Sequence, residues 1–344
     1  MAGELRQPTV LAIVFMLLTG LYGFVKFSHE KDYATEGKAA AILKEPVHLT
    51  STSGLHPLVE HPIVDSTRPL VTYAYTESPT TRENLLFFVE YGLHDSADFI
   101  FILNGPTNAA NLIPRSANIQ VISRPNECFD LGAHGEVLRK NGLWKKYSRF
   151  ILLNSGIRGP FVPYWSRSCW SDAFLNRVAN DVKLVGTTAT CHPKFHIHPT
   201  IWATDSVGMA LLLNPPKPPS ADPYNTGRGS SSSSQVVALG GCYASQAQAT
   251  RGGIEATSVV KKAGYKVDAL MAAFHHGRTG SYEDDCSEDW VKESMLYKHS
   301  HGKTAHPYET LFIKADSDVD PGALATHTEW YKPHGGNGSW DMCG

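Results

Sequence analysis

The sequence predicts an α/β fold, a mostly parallel sheet flanked by helices, and three features carry that expectation. Residues 119–163 read IQVISRPNECFDLGAHGEVLRKNGLWKKYSRFILLNSGIRGPFVP: strand, Gly-bearing turn, helix, second strand and Gly-Pro loop, which is one βαβ unit. Residues 98–103, DFIFIL, form a continuous apolar run suited to a strand covered on both faces. Strand and helix patterns alternate three times between residues 70 and 154. In open sheets of this class ligands collect at the carboxyl ends of the strands. The polar residues at the two strand-ends of the central unit, Asn126 and Asp130, then Asn154, Ser155 and Arg158, mark that edge.

The chain has 344 residues, 42% hydrophobic and 19% charged, enough apolar mass for a full core. Its formal net charge of -2 offers no basic field for a polyanion, which excludes nucleic-acid binding as a main function. Residues 9–25, TVLAIVFMLLTGLYGFV, carry no charge and reach about 17 residues, the lower limit for crossing a bilayer. The sequence therefore divides into a cytosolic tail (1–8), a transmembrane helix that contacts the lipid bilayer (9–27), a stem rich in charged, Pro and Ser/Thr residues (28–69), a body (70–320) and a C-terminal tail (321–344). A cleaved signal peptide is the rival reading of the first segment, although no A-x-A site follows it. The basic flanks, Arg6 on one side and Lys26 and Lys31 on the other, are too even to set orientation. Because all folded-looking sequence lies downstream, a single-pass type II protein with a lumenal body in the Golgi or ER is expected.

All six cysteines, Cys128, Cys169, Cys191, Cys242, Cys286 and Cys343, lie in or after the body. They allow 15 pairings, among which sequence does not choose, and reduced thiols remain the alternative. No C-x-x-C spacing supports a zinc ribbon or a redox motif. The sequon Asn337-Gly338-Ser339 fits an exported body.

Taken in order, the first strand is expected over residues 70–75. A helix follows, with Thr80 and Glu83 in capping-box spacing, and runs to about Tyr91. Further strands are expected over 98–103, 119–123 and 150–153, with a helix over 133–147 that leaves Arg139, Lys140 and Lys145 to solvent. Beyond Pro160 the pattern predicts a helix over 171–180, strands over 182–186 and 200–203, and a helix over 206–213. Residues 214–234 are Pro-rich, then Gly/Ser-rich, and read as a flexible insertion. A helix over 254–263 stops at Gly264. A strand over 265–270, a lid-like His/Asp/Glu-rich loop over 275–305 and a final strand over 310–313 complete the body.

Several constellations have chemical potential. Asp130 stands at the mouth of a helix, where a carboxylate accepts from a ribose hydroxyl or base, or simply caps the helix. Arg158 is placed to neutralise a diphosphate or to close a structural ion pair. His196-Ile197-His198, with His192 nearby, has ligand-pair spacing but lacks a third ligand. Asp205 is either an N-cap or an acceptor-binding carboxylate. Glu309 lies between Tyr308 and an apolar run, and burial there would suit it to proton abstraction, with a salt bridge to Lys314 or Arg158 as the alternative. Asp316-Ser317-Asp318-Val319-Asp320 has a D-x-D spacing suited either to a divalent cation or to a solvated turn.

Together, YSRFILLNSGIRGPFVPYW, VKLVGTT, IHPTIWATDSVGMALLL, IEATSVVKKAGYKVDALM and HPYETLFIKAD resemble a poorly characterised group of glycosyltransferases of fungi, algae and bacteria related to the rhamnan-synthesis and family 2 type. The resemblance spans residues 70–316. It implies a GT-A-like (Rossmann-like) transferase on a Golgi-type anchor, moving a sugar from a nucleotide-diphosphosugar to a glycan or glycoconjugate acceptor. Thr76, Glu77, Asp130 and Gly132 would line the nucleoside side. Asn154 and Ser155 stand where such enzymes carry D-x-D for Mn²⁺ or Mg²⁺, so a divalent metal remains an open cofactor and Arg158 a substitute for its charge. An inverting reaction would need a base, Glu309 in preference to Asp205. A catalytically inactive glycan-binding or assembly subunit, and a His/Asp metallohydrolase built on residues 192–205, are the alternative functions.

Overall fold

The structure, a computed structural model, describes residues 67–216, 236–275, 281–287, 307–315, 321–334 and 338–343. The tail, the expected membrane helix, nearly all of the stem, most of the 214–234 insertion, most of the 275–305 loop and residues 316–320 lie outside them. Among the described residues no helix is long and apolar enough to cross a membrane.

Seven strands form the central sheet: β1 (Leu70–Thr76), β2 (Asp98–Asn104), β3 (Ile119–Arg124) and β4 (Arg149–Asn154), then β6 (Val182–Gly186), β9 (Ile201–Asp205) and β10 (Lys266–Ala269). Two ribbons complete the strands, β5 (Ile157–Arg158) with β11 (Ile313–Lys314), and β7 (Ala189–Thr190) with β8 (His196–Ile197). The order across the sheet is β10-β6-β9-β4-β1-β2-β3. β1 to β4 are mutually parallel, β6 and β10 are parallel to each other, and β9 is antiparallel to both its neighbours. The fold is therefore α/β with a mostly parallel sheet flanked by helices. Connections run outward from β1 through β2 to β3, then return to β4 on the other side of β1. That reversal makes β1 and β4 the topological switch point.

Alternating side chains feed two cores. On β1, Val71, Tyr73 and Tyr75 enter one cluster with Phe88, Phe99 and Trp170. Leu70 enters the other, with Leu131, Val137, Met209 and Trp202. Burial on both faces explains why these strands read as nearly unbroken apolar runs.

Helix boundaries depart from the sequence reading for definable reasons. α1 (Pro79–Tyr91) is capped by Ser78, whose Oγ accepts from the Thr81 N–H at 3.2 Å. The Thr80–Glu83 capping box is thus replaced: Pro79 takes the first helical position, which moves the cap one residue upstream of it. α2 (Phe129–Arg139) starts and stops earlier than the expected 133–147. It ends because Asn141 and Gly142 turn left-handed, with φ of 54° and 66°, inside a following 3-10 segment. Arg139, expected in solvent, donates from Nη2 to the carbonyls of Leu213 (2.5 Å) and Leu239 (2.6 Å).

α3 (Trp170–Leu175) is shorter than the expected 171–180, whereas α4 (Ser206–Leu213) has the expected bounds. α5 (Gln246–Lys262) begins eight residues before the expected Ile254, with Ser245 as its cap. Gly252 and Gly253, weak positions for a helix by propensity, are contact residues: a Cβ on Gly252 would lie 2.2 Å from the Tyr243 hydroxyl, and one on Gly253 would lie 3.0 Å from Pro199. The helix terminates as expected at Gly264, whose φ is +87°. α6 (Pro321–His334) seats Leu324 and Tyr331 against Phe87, Tyr91 and Phe161, so the expected tail contributes a packed helix.

Three disulfides join the six cysteines: Cys128–Cys242, Cys169–Cys343 and Cys191–Cys286. Their number points to folding in an oxidising compartment of the secretory type.

Candidate functional site

Adjacent strands end in a row of polar residues at the carboxyl edge of the sheet. Asn154 on β4 is in register with Ala74 of β1; Thr76 of β1 pairs with Asn104 of β2, which pairs with Arg124 of β3. This row crosses the switch point, the place where open α/β sheets as a class form their ligand crevice.

The turn after β4 is held from several sides. Ser155 donates its N–H to Ala74 O at 2.9 Å, and its carbonyl accepts from Asn84 Nδ2 at 2.8 Å. The Asn154 N–H donates to Thr200 O at 3.1 Å, and its Oδ1 accepts from the Gly156 N–H at 3.1 Å, closing an Asx turn. Ser155 is buried and Asn154 half-buried.

Arg158 takes the structural option. It is buried, with Nε donating to Asn84 Oδ1 (2.8 Å), Nη2 paired with Glu83 Oε2 (2.8 Å) and Nη1 reaching Thr328 Oγ1 (3.2 Å). Its guanidinium joins α1 to α6.

Thr76 is half-buried and Glu77 lies just beyond it, exposed. Glu77 accepts from the Thr107 hydroxyl and pairs with Arg82 Nε at 3.3 Å. The Thr107 hydrogen bond, with help from Tyr75 and Arg82, holds its carboxyl below the usual carboxylate range. Tyr75 is buried beside it, and that burial, with the Glu77 carboxylate, pushes the phenol up to about 12.

Asp130 does not cap α2. The cap position is Cys128, with φ of 68°, and Phe129 follows at φ 56°. Asp130 is then the second helical residue, half-buried, its charge in the first turn where the helix dipole favours it. One turn on, His134 is buried with Nδ1 at 2.9 Å from Thr72 Oγ1, which pins α2 to β1. Burial pushes this imidazole down to about 4. Two consecutive left-handed non-glycine residues store strain. Here the Cys128–Cys242 disulfide anchors them.

Gly132 has a packing role: a Cβ there would sit 2.6 Å from Cys128 Cβ and 3.1 Å from Gly241 O. Its absent side chain lets the disulfide-bonded strand lie on the helix.

The two carboxylates considered for catalysis separate. Asp205 is in register with Arg149, the first residue of β4, so it lies at the edge of the sheet opposite Asn154. There it accepts from the Gly208 N–H at 2.9 Å, capping α4, and pairs with Lys183. Glu309 is exposed, which corrects the expectation that neighbouring apolar residues bury it; its Oε1 accepts from the Ala272 N–H at 2.5 Å. It does not pair with Arg158 or Lys314 among the described residues. Glu309 also lines a cleft of about 490 Å³ together with Leu270, just past the carboxyl end of β10.

The residues at the end of β4 supply no carboxylate for a divalent cation. Among the described residues the one close group of three potential ligands is His94, Cys169 and Cys343, and its cysteines are spent in a disulfide. His196 is buried with Nδ1 at 2.8 Å from Lys194 O, and His198 Nδ1 lies 3.4 Å from Thr200 Oγ1. These histidines lie before the start of β9 and Asp205 ends it, so the 192–205 ligand set does not converge.

Asn104, the last residue of β2 and absent from the residues expected at the site, is buried, its Oδ1 accepts from Arg124 Nη1 at 2.7 Å, and its Nδ2 has no partner among the described residues. The available signal was its place, level with Thr76 at a strand-end.

No family model matches the chain, and no curated protein matches it. Among solved structures the fold is similar to a mannosyltransferase from Pyrobaculum calidifontis, solved in complex with GDP-Man and Mn²⁺, at TM-score 0.37 and 11% identity over 75% of this chain. The match spans 65% of that protein's length. It is also similar to HddC from Yersinia pseudotuberculosis, at TM-score 0.28 and 10% identity, over 40% of this chain and 77% of that one. Likenesses at this level do not assign a family.

Proposed function

We propose that the chain is a membrane-anchored glycosyltransferase that moves a sugar from a nucleotide-diphosphosugar to a glycan or glycoconjugate acceptor, with a GT-A-like body in the lumen of the Golgi or ER. The observation that carries this reading is the polar strand-end row at the switch point between β1 and β4, bordered by Asp130 in the first turn of α2. Residues 9–27 would anchor it in the bilayer, in agreement with the oxidising compartment that three disulfides require.

In this reading Asp130 accepts from a ribose hydroxyl or base, with Thr76 and Glu77 beside it. The ionised state of Glu77, favoured by Thr107, Tyr75 and Arg82, suits an acceptor of hydrogen bonds. Asn154 and Ser155 shape the floor of the crevice through their fixed turn, and Asn104 Nδ2 supplies a donor. Gly132 serves the site through the disulfide contact and Arg158 through its links between helices. Glu309 is the proposed base for the acceptor hydroxyl, supported by its exposure in the cleft. Asp205 is left with its capping role. A metal of the Mn²⁺ or Mg²⁺ kind does not fit the side chains at the end of β4, which carry no carboxylate.

Incubating the full chain with a panel of sugar nucleotides and following release of nucleoside diphosphate tests the proposal. Turnover of one donor, dependent on an acceptor, is expected; failure to bind any sugar nucleotide in a thermal-shift screen, with or without Mn²⁺, would sink it. A second reading, an inactive glycan-binding or assembly subunit, is favoured specifically by Asn154-Ser155-Gly156 in place of carboxylates. Binding of a sugar nucleotide with no turnover across a broad acceptor panel would decide for it.

A further inference from the structure

The loop after β5 carries two adjacent aromatic side chains that the fold does not use. Tyr164 is 76% exposed and Trp165 71% exposed, the largest exposures among the big apolar side chains of the described residues. Apolar area of this kind, left in water, marks a contact surface more often than a structural need. Trp165 forms one wall of the cleft that contains Glu309, and Tyr164 follows Pro163, which lines the same cleft.

The rest of the lining narrows the chemistry of what fits. Leu270 contributes apolar surface, while Asp172, Asn176 and Glu309 contribute acceptors and an amide. Among the described residues Arg177 is the one cation of the lining, and it is already paired with Asp268 at 3.0 Å. Two carboxylates without a free cation among the described lining residues disfavour a phosphate, a nucleotide or an anionic lipid headgroup. Flat aromatic faces beside hydrogen-bonding carboxylate and amide groups match a ligand with one apolar face and an edge of hydroxyls. A pyranose ring has that form.

We propose that the Tyr164–Trp165 platform and the cleft beside it form the acceptor subsite, which holds a neutral pyranose of the glycan by stacking and presents one hydroxyl to Glu309. This inference rests on the glycosyltransferase reading and deepens it. It divides the molecule between an uncharged sugar at this cleft and the anionic donor at the β1/β4 crevice.

The test uses the full chain with four neutral disaccharides as probes, cellobiose, mannobiose, galactobiose and N,N′-diacetylchitobiose, titrated by saturation-transfer NMR. At least one should bind. Trp165→Ala should weaken that binding roughly 10-fold or more, and Trp165→Tyr, which retains a flat ring, should restore most of it. Trp330→Ala, an exposed tryptophan on α6, serves as the control and should change nothing. Binding of none of the probes, or unchanged binding in Trp165→Ala, overturns the proposal. So does binding to phosphatidylcholine vesicles that Trp165→Ala weakens, in place of sugar binding, or a dimer that Trp165→Ala dissolves, since the platform would then meet a membrane or a second copy.

A parallel thermal-shift arm with sugar nucleotides separates the two levels of inference. Disaccharide binding without nucleotide binding leaves the subsite and removes the transferase. Acceptor-dependent turnover with disaccharide binding indifferent to Trp165 does the reverse.

Discussion

At the scale of single residues, Asp130 and Asp205 show how one residue type in one sequence context divides into two fates. Both stand where a strand or turn gives way to a helix, and both had an N-cap reading. Asp205 takes it, at the edge remote from the crevice. Asp130 is displaced from the cap because Cys128 and Phe129 turn left-handed first, a backbone state that no side-chain pattern announces. Its charge is close enough to the buried Tyr73 phenol to add to the upward shift that burial and Tyr75 already impose. Asp130→Ala should therefore weaken nucleotide affinity about 10-fold, as expected for a lost charge-assisted hydrogen bond. An unchanged dissociation constant by calorimetry would mean that Asp130 does not meet the nucleotide. Glu309→Gln should lower the turnover number by roughly 100-fold with donor affinity nearly intact, the pattern of a lost general base; full turnover in this variant would end that assignment. His134 yields a prediction independent of function. Burial lowers its folded-state pKa to about 4, below its unfolded value, so the unfolded chain takes up the proton first. Stability is then complete above about pH 6.5 and is lost as pH falls toward 4, by roughly 3 kcal/mol for such a group. His94, also lowered to about 4 by burial with Arg68 nearby, acts in the same window. Denaturant titrations between pH 7 and 4 should show this loss, and His134→Gln should flatten it.

At the scale of elements, the strands were legible and the helix boundaries less so. β1, β2, β4 and β6 begin and end within a residue of their expected positions, because burial on both faces leaves an apolar run that turns polar where the strand leaves the sheet, and the half-exposed edge strand β3 matches its expected span as closely. The antiparallel direction of β9 was not legible, since strand direction depends on the path of the preceding loop. The late starts expected for α2 and α5 share a cause. Both helices carry glycines that local propensity counts as weak points, yet tertiary contacts require them. Gly135 provides the sharpest case: a Cβ there would meet the backbone carbonyl of Leu239 at 2.4 Å, and a backbone carbonyl has little freedom to withdraw. Gly135→Ala gains up to about 1 kcal/mol in helix propensity but should lose about 1–3 kcal/mol to overpacking. The net outcome expected in chemical denaturation is destabilisation. A stabilised variant would mean that the 236–243 segment moves away from α2 easily, and with it the Cys128–Cys242 anchor of the candidate site.

At the scale of the whole molecule, the arrangement of covalent bridges accounts for how a long chain with two cores keeps its C-terminal portion in place. The pairings could not be read from spacing, because each bridge closes a loop whose ends meet only in the folded sheet. Cys169–Cys343 spans 174 positions and joins the segment before α3 to the last described residue. In the chain-entropy picture a loop of that length is worth about 5 kcal/mol, an upper limit because the other two bridges already shorten the unfolded chain it constrains. The same segment is also held without covalent help: Leu324 and Tyr331 pack on Phe87 and Phe161, Arg158 reaches Thr328, and Ser339 Oγ donates to Tyr91 O at 2.5 Å. These contacts reduce what the bridge must do alone. The double variant Cys169→Ser/Cys343→Ser should therefore fold, with a melting temperature lower by roughly 5–10 °C, corresponding to a loss of about 2–4 kcal/mol. Because this bridge lies at the amino edge of β4, where Arg149 and Cys169 share a cleft, nucleotide binding at the opposite edge should persist in the variant below its melting point. Scanning calorimetry with and without a bound sugar nucleotide checks both statements. Loss of ligand stabilisation together with the bridge would mean that the two edges of the sheet are coupled and that the C-terminal segment belongs to the site.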